Sequence, residues 1–153
     1  ASIYSILGNM YHEIGYDSLA FHYHKLGLDI RKSFNNKLLY AQSLNNLANI
    51  ARSYYGKDSA LSMYKEALII TRANNSQRLE SALLNNIGEI YLDWNEYKKS
   101  EYFLNQSLEI KEKLNDIYGI AYTIQNLSRL SFKEKQLKRS EELILNGLSI
   151  AQQ

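Results

Sequence analysis

Apolar and small residues recur along this chain with two nested periods. In Leu44-Asn45-Asn46-Leu47-Ala48-Asn49-Ile50-Ala51, the residues Leu44, Leu47, Ala48 and Ala51 stand at i, i+3, i+4 and i+7. That spacing places them on one stripe of an amphipathic helix. Leu84-Asn85-Asn86-Ile87-Gly88-Glu89-Ile90-Tyr91 repeats the pattern after a shift of 40 residues. The same shift aligns Leu7-Gly8, Leu47-Ala48, Ile87-Gly88 and Leu127-Ser128. These segments define a first helix, A, in each period.

A second apolar face follows in every period. Small residues Ala20, Ala60, Ser100 and Ser140 open it, and His24, Tyr64, Leu104 and Ile144 come one turn later. Gly27, Ala67, Ser107 and Gly147 precede Leu28, Leu68, Leu108 and Leu148, and Ile30, Ile70, Ile110 and Ile150 close the stripe. This is helix B. The small residues on A and B predict two backbones in close approach. Asn35-Asn36, Asn75-Ser76 and Asn115-Asp116 separate B from the next A, because Asn and Asp cap helices and tolerate left-handed backbone. Gly15-Tyr16-Asp17, Gly56-Lys57-Asp58 and Asn95-Glu96 mark the turn from A to B, with Lys135-Gln136 as a weaker fourth signal. Each helix is expected to run roughly 15 to 18 residues, or about 25 Å.

The expected fold is therefore all-α, a solenoid of antiparallel helix pairs with units 1–40, 41–80, 81–120 and an incomplete 121–153. One hairpin cannot cover its own apolar face, so each must stack on the next. At 153 residues the chain suits one domain, and its start at Ala1 reads as that of a piece of a longer protein.

The order Leu-Gly-x-x-Tyr-x-x-x-Gly followed by Ala, an aromatic and Ala-Leu resembles the tetratricopeptide repeat (TPR). Unit 1 carries Leu7, Gly8, Tyr11, Gly15, Ala20 and Leu28; unit 3 carries Ile87, Gly88, Tyr91, Tyr97, Ser100 and Leu108; unit 2 supplies Ala60, Tyr64, Ala67 and Leu68. The resemblance covers essentially the whole chain. The usual repeat of about 34 residues is lengthened here, and the proline after helix B is missing. Long repeats of this kind resemble those of bacterial peptide-sensing regulators, kinesin light chains and helical sensor domains. The resemblance implies a right-handed superhelix with a concave face lined by helix A.

On that implied face stand Ser5, Asn9 and His12; Asn45, Asn46, Asn49 and Arg52; Asn85, Asn86 and Glu89; and Tyr122, Gln125, Asn126 and Arg129. A primary amide both donates and accepts, so a ladder of amides is expected to hold the backbone of a peptide or protein segment, with Arg52, Glu89 and Arg129 setting charge preference. The alternative is that the amides orient neighbouring helices. The positions that clamp a terminal carboxylate in related co-chaperones fall on Ser5, Asn9, Asn46, Ala82 and Asn86; the asparagines match, but the basic residues are absent.

Charge and candidate chemistry narrow the function classes. Eighteen basic against sixteen acidic groups give a net +2, without the basic track that a nucleic-acid solenoid needs on every repeat. An RNA-binding role therefore ranks below protein binding and below a self-associating scaffold. The chain has no cysteine, hence no thiolate metal site. His12-Glu13-Ile14-Gly15-Tyr16 begins like a zinc-protease helix, but Tyr16 stands where the second histidine must be. No catalytic residue, cofactor or metal is expected. Thirteen tyrosines mostly read as packing groups. Leu148 and Ile150 would lie partly uncovered at this edge, so a capping helix, another repeat, a second subunit or a fused domain is expected to cover them in the intact protein.

Overall fold

The computed structural model describes residues 2–33 and 36–152, and within them the fold is all-α. The chain divides into two compact units, Ala1–Ser76 and Gln77–Gln153. The first holds α1 (Ser2–Glu13), α2 (Asp17–Ser33), α3 (Lys37–Tyr54) and α4 (Lys57–Ala73). The second holds α5 (Gln77–Asp93), α6 (Tyr97–Lys113), α7 (Ile117–Lys133) and α8 (Leu137–Ala151). The helices α2, α4, α6 and α8 begin at 17, 57, 97 and 137, and α3, α5 and α7 at 37, 77 and 117, so the 40-residue register carries into the backbone. Within each unit short turns reverse the chain between consecutive helices and force an antiparallel pairing.

The turns form where chain chemistry lets the backbone turn left-handed. Positive φ occurs at Gly15 (82°), Gly56 (93°), Asn75 (54°), Asn95 (59°), Asn115 (50°) and Lys135 (63°). At Asn95 the amide of Asn95 bonds the Leu92 carbonyl at 3.0 Å, and the Glu96 amide bonds the Tyr91 carbonyl at 2.9 Å. This is the Schellman closure, which satisfies the last carbonyls of the helix. Lys135 and Gln136 make the same pair of bonds to Phe132 and Ser131. The Asn36 side chain caps the Leu39 amide at 3.1 Å, and Asp116 caps that of Gly119 at 3.1 Å. Asn35 lies outside the described residues.

Small residues do bring the paired helices together. Gly8, Ala20, Ala48, Ala60, Gly88, Ser100, Ser128 and Ser140 are all buried. Where serine replaces alanine it also ties one helix to the other. Ser100 Oγ donates to the Gly88 carbonyl at 2.8 Å, and Ser128 and Ser140 each donate to the other's carbonyl at 3.0 and 3.1 Å. Around these contacts the aromatics pack as the pattern implies. Tyr11 stacks on Tyr23 at 5.3 Å, Tyr91 on Phe103 at 5.5 Å, and Tyr64 is buried with its hydroxyl donating to Asn49 at 2.6 Å. Ile14 and Tyr54 at the ends of helix A stay exposed, while Trp94 is half-buried edge-on to Tyr91 at 5.8 Å. In the second unit Leu92, Leu104, Leu127 and Leu130 form a continuous core, with Leu108 and Leu143 packed against it.

Candidate functional site

The helix A residues singled out for binding fall into two environments. In the second unit α7 packs beside α5 and converts part of the amide row into an internal network. Asn85, Glu89 and Asn126 are only 2%, 7% and 2% exposed. Glu89 Oε1 accepts from Asn85 Nδ2 at 3.0 Å, Asn126 Nδ2 at 2.9 Å and the Tyr122 hydroxyl at 2.8 Å. Asn85 Oδ1 in turn accepts from Asn126 Nδ2 at 3.3 Å and from Thr123 Oγ1 at 3.2 Å. Asn126 Oδ1 accepts from Arg129 at 3.2 Å. An amide has two donor hydrogens and one acceptor oxygen, so the partners of Asn85 and Asn126 are supplied largely by the fold itself.

Behind this network lies a buried cation. Lys111 Nζ donates to Thr123 Oγ1 at 2.8 Å, and burial pushes its pKa down, opposed by the charges of Asp116 and Glu89. A lone buried ammonium is costly unless it is hydrogen-bonded and near opposite charge; Lys111 has both. Sequence reasoning missed Lys111 and Thr123. A signal existed: Arg31 hydrogen-bonds Ser43 in the first unit, and both members recur as Lys111 and Thr123 eighty residues later.

The first unit presents its amides differently. Asn9 and Asn49 are exposed, whereas Asn45, Asn46 and Arg52 are half-buried. Asn45 Nδ2 lies 3.5 Å from Asn46 Oδ1. His12 is exposed and bonds Asp17 at 2.7 Å across the turn. Asn86 is half-buried, and Gln125 and Arg129 are exposed on α7. The candidate residues therefore do not share one environment: Asn85, Glu89 and Asn126 are joined inside the second unit, and the rest keep some solvent access.

Among the described residues no group of three or more His, Cys, Asp or Glu is placed to hold a metal ion, and no helix is long and apolar enough to cross a membrane. His24 is buried against Gly8 and its Nε2 lacks a hydrogen-bond partner. Lys133, Lys135, Lys138 and Arg139 gather around the turn between α7 and α8, where Arg139 donates to Glu101 at 2.6 Å and to Gln136 at 3.2 Å.

Helix pairs recurring every 40 residues, with polar rows on helix A, define a helical-repeat module of the protein-interaction class. Its repeats resemble tetratricopeptide repeats, and the family model of that description matches residues 41–113. No match occurs among curated protein sequences. Similar solved structures include BtubC (BKLC) from P. vanneervenii, with a TM-score of 0.85 and 22% identity over 98% of this chain and 62% of that one. The apo form of RapI follows at 0.89 and 20%, over 99% and 55% of the two chains. Aspartyl phosphate phosphatase F from Bacillus subtilis gives 0.90 and 14%, over 99% and 40%. The present chain thus spans 40% to 62% of the length of these relatives, and at such identities the likeness concerns the fold.

Proposed function

We propose that this chain is a non-catalytic binding module that holds a peptide or protein segment on the helix A face, and that in a longer protein it serves as the sensor or interaction part. The observation that carries this reading is the partial exposure of the amides of Asn9, Asn45, Asn46 and Asn49. A row of amides on a rigid helix can pair with an extended backbone while demanding little of its side chains. Arg52 adds a cation on the same helix. In the second unit the candidate contacts are Asn86, Gln125 and Arg129, while Asn85, Glu89 and Asn126 supply the rigid support that a binding face needs.

Panning a random peptide library on the immobilised chain tests the reading. Enriched peptides should bind the parent chain and lose about tenfold in affinity, or roughly 1.4 kcal/mol, with Asn46→Ala and Asn86→Ala combined. The unfolding midpoint should stay nearly unchanged. Affinity that survives the double substitution, or a library yielding no enriched peptide, would overturn the assignment of this face. Loss of the fold in the double variant would assign the two amides to packing instead.

A further inference from the structure

A row of amides can pair with a peptide backbone but cannot choose where along the peptide it pairs, because almost every residue offers the same carbonyl and N–H. A fixed register needs one position unlike the others. In helix A that position is the place taken by Ser2, Gln42 and Ala82 in three repeats and by Tyr122 in the fourth. The Tyr122 hydroxyl reaches back to α5 and donates to Glu89 Oε1 at 2.8 Å, while the residue stays 49% exposed. The ring therefore lies on the side of α7 that meets α5, and its exposure belongs to the helix A face inside the second unit. Glu89 is buried and also accepts from Asn85 and Asn126. A ring tethered at its far end to a buried carboxylate has already lost rotamer freedom, so a group that stacks on it forfeits less entropy.

The surroundings of the ring select what stacks there. A tyrosine face carries the negative side of the ring quadrupole, and a hydroxyl that donates to a carboxylate makes the face richer in electrons. Such a face attracts a cation or polarised C–H groups. Arg129 stands exposed seven residues further along the same stripe of α7, and Lys111 lies near enough to Glu89 to feel its charge. These two positive groups oppose an incoming ammonium or guanidinium. Proline meets the remaining requirement: the C–H groups beside its nitrogen are polarised, and it brings no backbone N–H that would need a partner over the ring. Asn86, half-buried, precedes Glu89 by three residues on α5, one turn away on the same side of the helix. Its amide can donate to the proline carbonyl. We propose that Tyr122 is the specificity-determining residue of the helix A face, and that it stacks on a proline of a bound segment in the extended polyproline conformation. The inference rests on the reading of helix A as a peptide-binding face and adds the side chain that sets the register.

Panning one random peptide library on the parent chain and on Tyr122→Gln tests this. The variant copies Gln42, removes the ring and still offers Glu89 an amide donor, so the fold should persist, with circular dichroism as the check. Peptides selected by the parent should share a proline at one fixed place. Those selected by Tyr122→Gln should still bind through the amides but lack it. Replacing that proline by alanine in a parent-selected peptide should weaken binding to the parent about fivefold and leave affinity for Tyr122→Gln unchanged. Tyr122→Phe keeps the ring without its bond to Glu89 and should retain the proline preference; loss of the preference in this variant would assign Tyr122 to the Glu89 network instead. Enriched peptides without a fixed proline, or with a cationic or aromatic residue in its place, would overturn the proline assignment and leave the amide row standing. If no peptide is enriched, the amide-row reading fails, and an amide-detected NMR titration with acetylated, amidated triproline decides on the ring. Shifts at Tyr122 and Asn86 that Tyr122→Gln abolishes would support it, and their absence would overturn it.

Discussion

The two units follow one plan at an 80-residue spacing and differ at its centre. Gly8 and Gly88 admit close helices, Tyr11–Tyr23 and Tyr91–Phe103 stack, Asn36 and Asp116 cap, and Arg31–Ser43 and Lys111–Thr123 join helix B to the following helix A. Where the second unit has Glu89, however, the first has Asn9. Glu89 is buried and gathers three donors, whereas Asn9 is exposed. A carboxylate is an acceptor only and can collect several amides around it; an amide must both give and receive. Three exchanges, Asn9 for Glu89, Ser5 for Asn85 and Gln42 for Tyr122, thus separate an internally satisfied polar core from a row with solvent access.

Removing that carboxylate should break the comparison most severely. Glu89→Ala leaves the buried amides of Asn85 and Asn126, and the hydroxyl of the more exposed Tyr122, without their shared acceptor and takes a nearby charge from Lys111. It should destabilise by about 3 kcal/mol. Asn9→Ala on exposed α1 should stay within about 0.5 kcal/mol. Urea denaturation of both variants measures the contrast, and similar midpoints for the two would mean that the network contributes little.

The matched glycines give the next largest effect. A Cβ on Gly88 would meet Leu104 carbons at 2.8 Å and the Leu104 backbone nitrogen at 3.3 Å. Gly88→Leu therefore cannot be relieved by side-chain motion alone and should cost about 2 to 3 kcal/mol through overpacking. The unfolding midpoint, read with helicity, checks this; an unchanged midpoint would show that α5 and α6 can separate freely.

The helix pairs were legible before any coordinates because each apolar position is confirmed by its counterparts 40 residues away. The turns at Gly15, Asn75, Asn95 and Asn115 were legible because these residue types favour positive φ. The fate of the amides was not. Asn45 and Asn85 share one register and the same following residue, yet Asn85 is buried among Thr123, Glu89 and Asn126. That outcome depends on α7, so no local pattern around Asn85 contains it. Lys111 escaped notice for a similar reason: its position reads as the charged end of a helix, and only the 80-residue match to Arg31 hints at a role inside the fold.

The opposing residues on helix B sharpen the comparison through pH. His24 lies against Gly8, and Leu104 against Gly88. Burial lowers the pKa of His24, with repulsion from His12 and Arg31 adding to it. The folded state therefore keeps the imidazole neutral at pH values where the unfolded chain, titrating near 6.5, has begun to bind a proton. More protons on the unfolded state mean that stability falls as pH drops below about 6.5, by at most about 1.4 kcal/mol per pH unit. His24→Leu, which copies the second unit, should flatten that slope between pH 6.5 and 5. A slope that persists unchanged would assign the pH response to other groups.

The smallest expected effect comes from the turns. Asn95 and Lys135 occupy the same place after helix A, with φ of 59° and 63°, and close the helix with the same pair of backbone bonds. Asparagine enters left-handed backbone readily because its short polar side chain can bond locally, while lysine gains nothing there and carries the full steric penalty of its Cβ. Lys135→Asn should therefore stabilise the fold, and Lys135→Gly should relieve more steric strain while giving back part of the gain as chain entropy. Increases of about 0.5 to 1 kcal/mol are expected for either. Because Lys135 is exposed, side-chain packing should contribute little, and matched gains in both variants would isolate the backbone as the cause. If neither raises the unfolding midpoint, the left-handed turn costs the lysine less than its geometry implies, and the difference between the two turns is one of residue type alone.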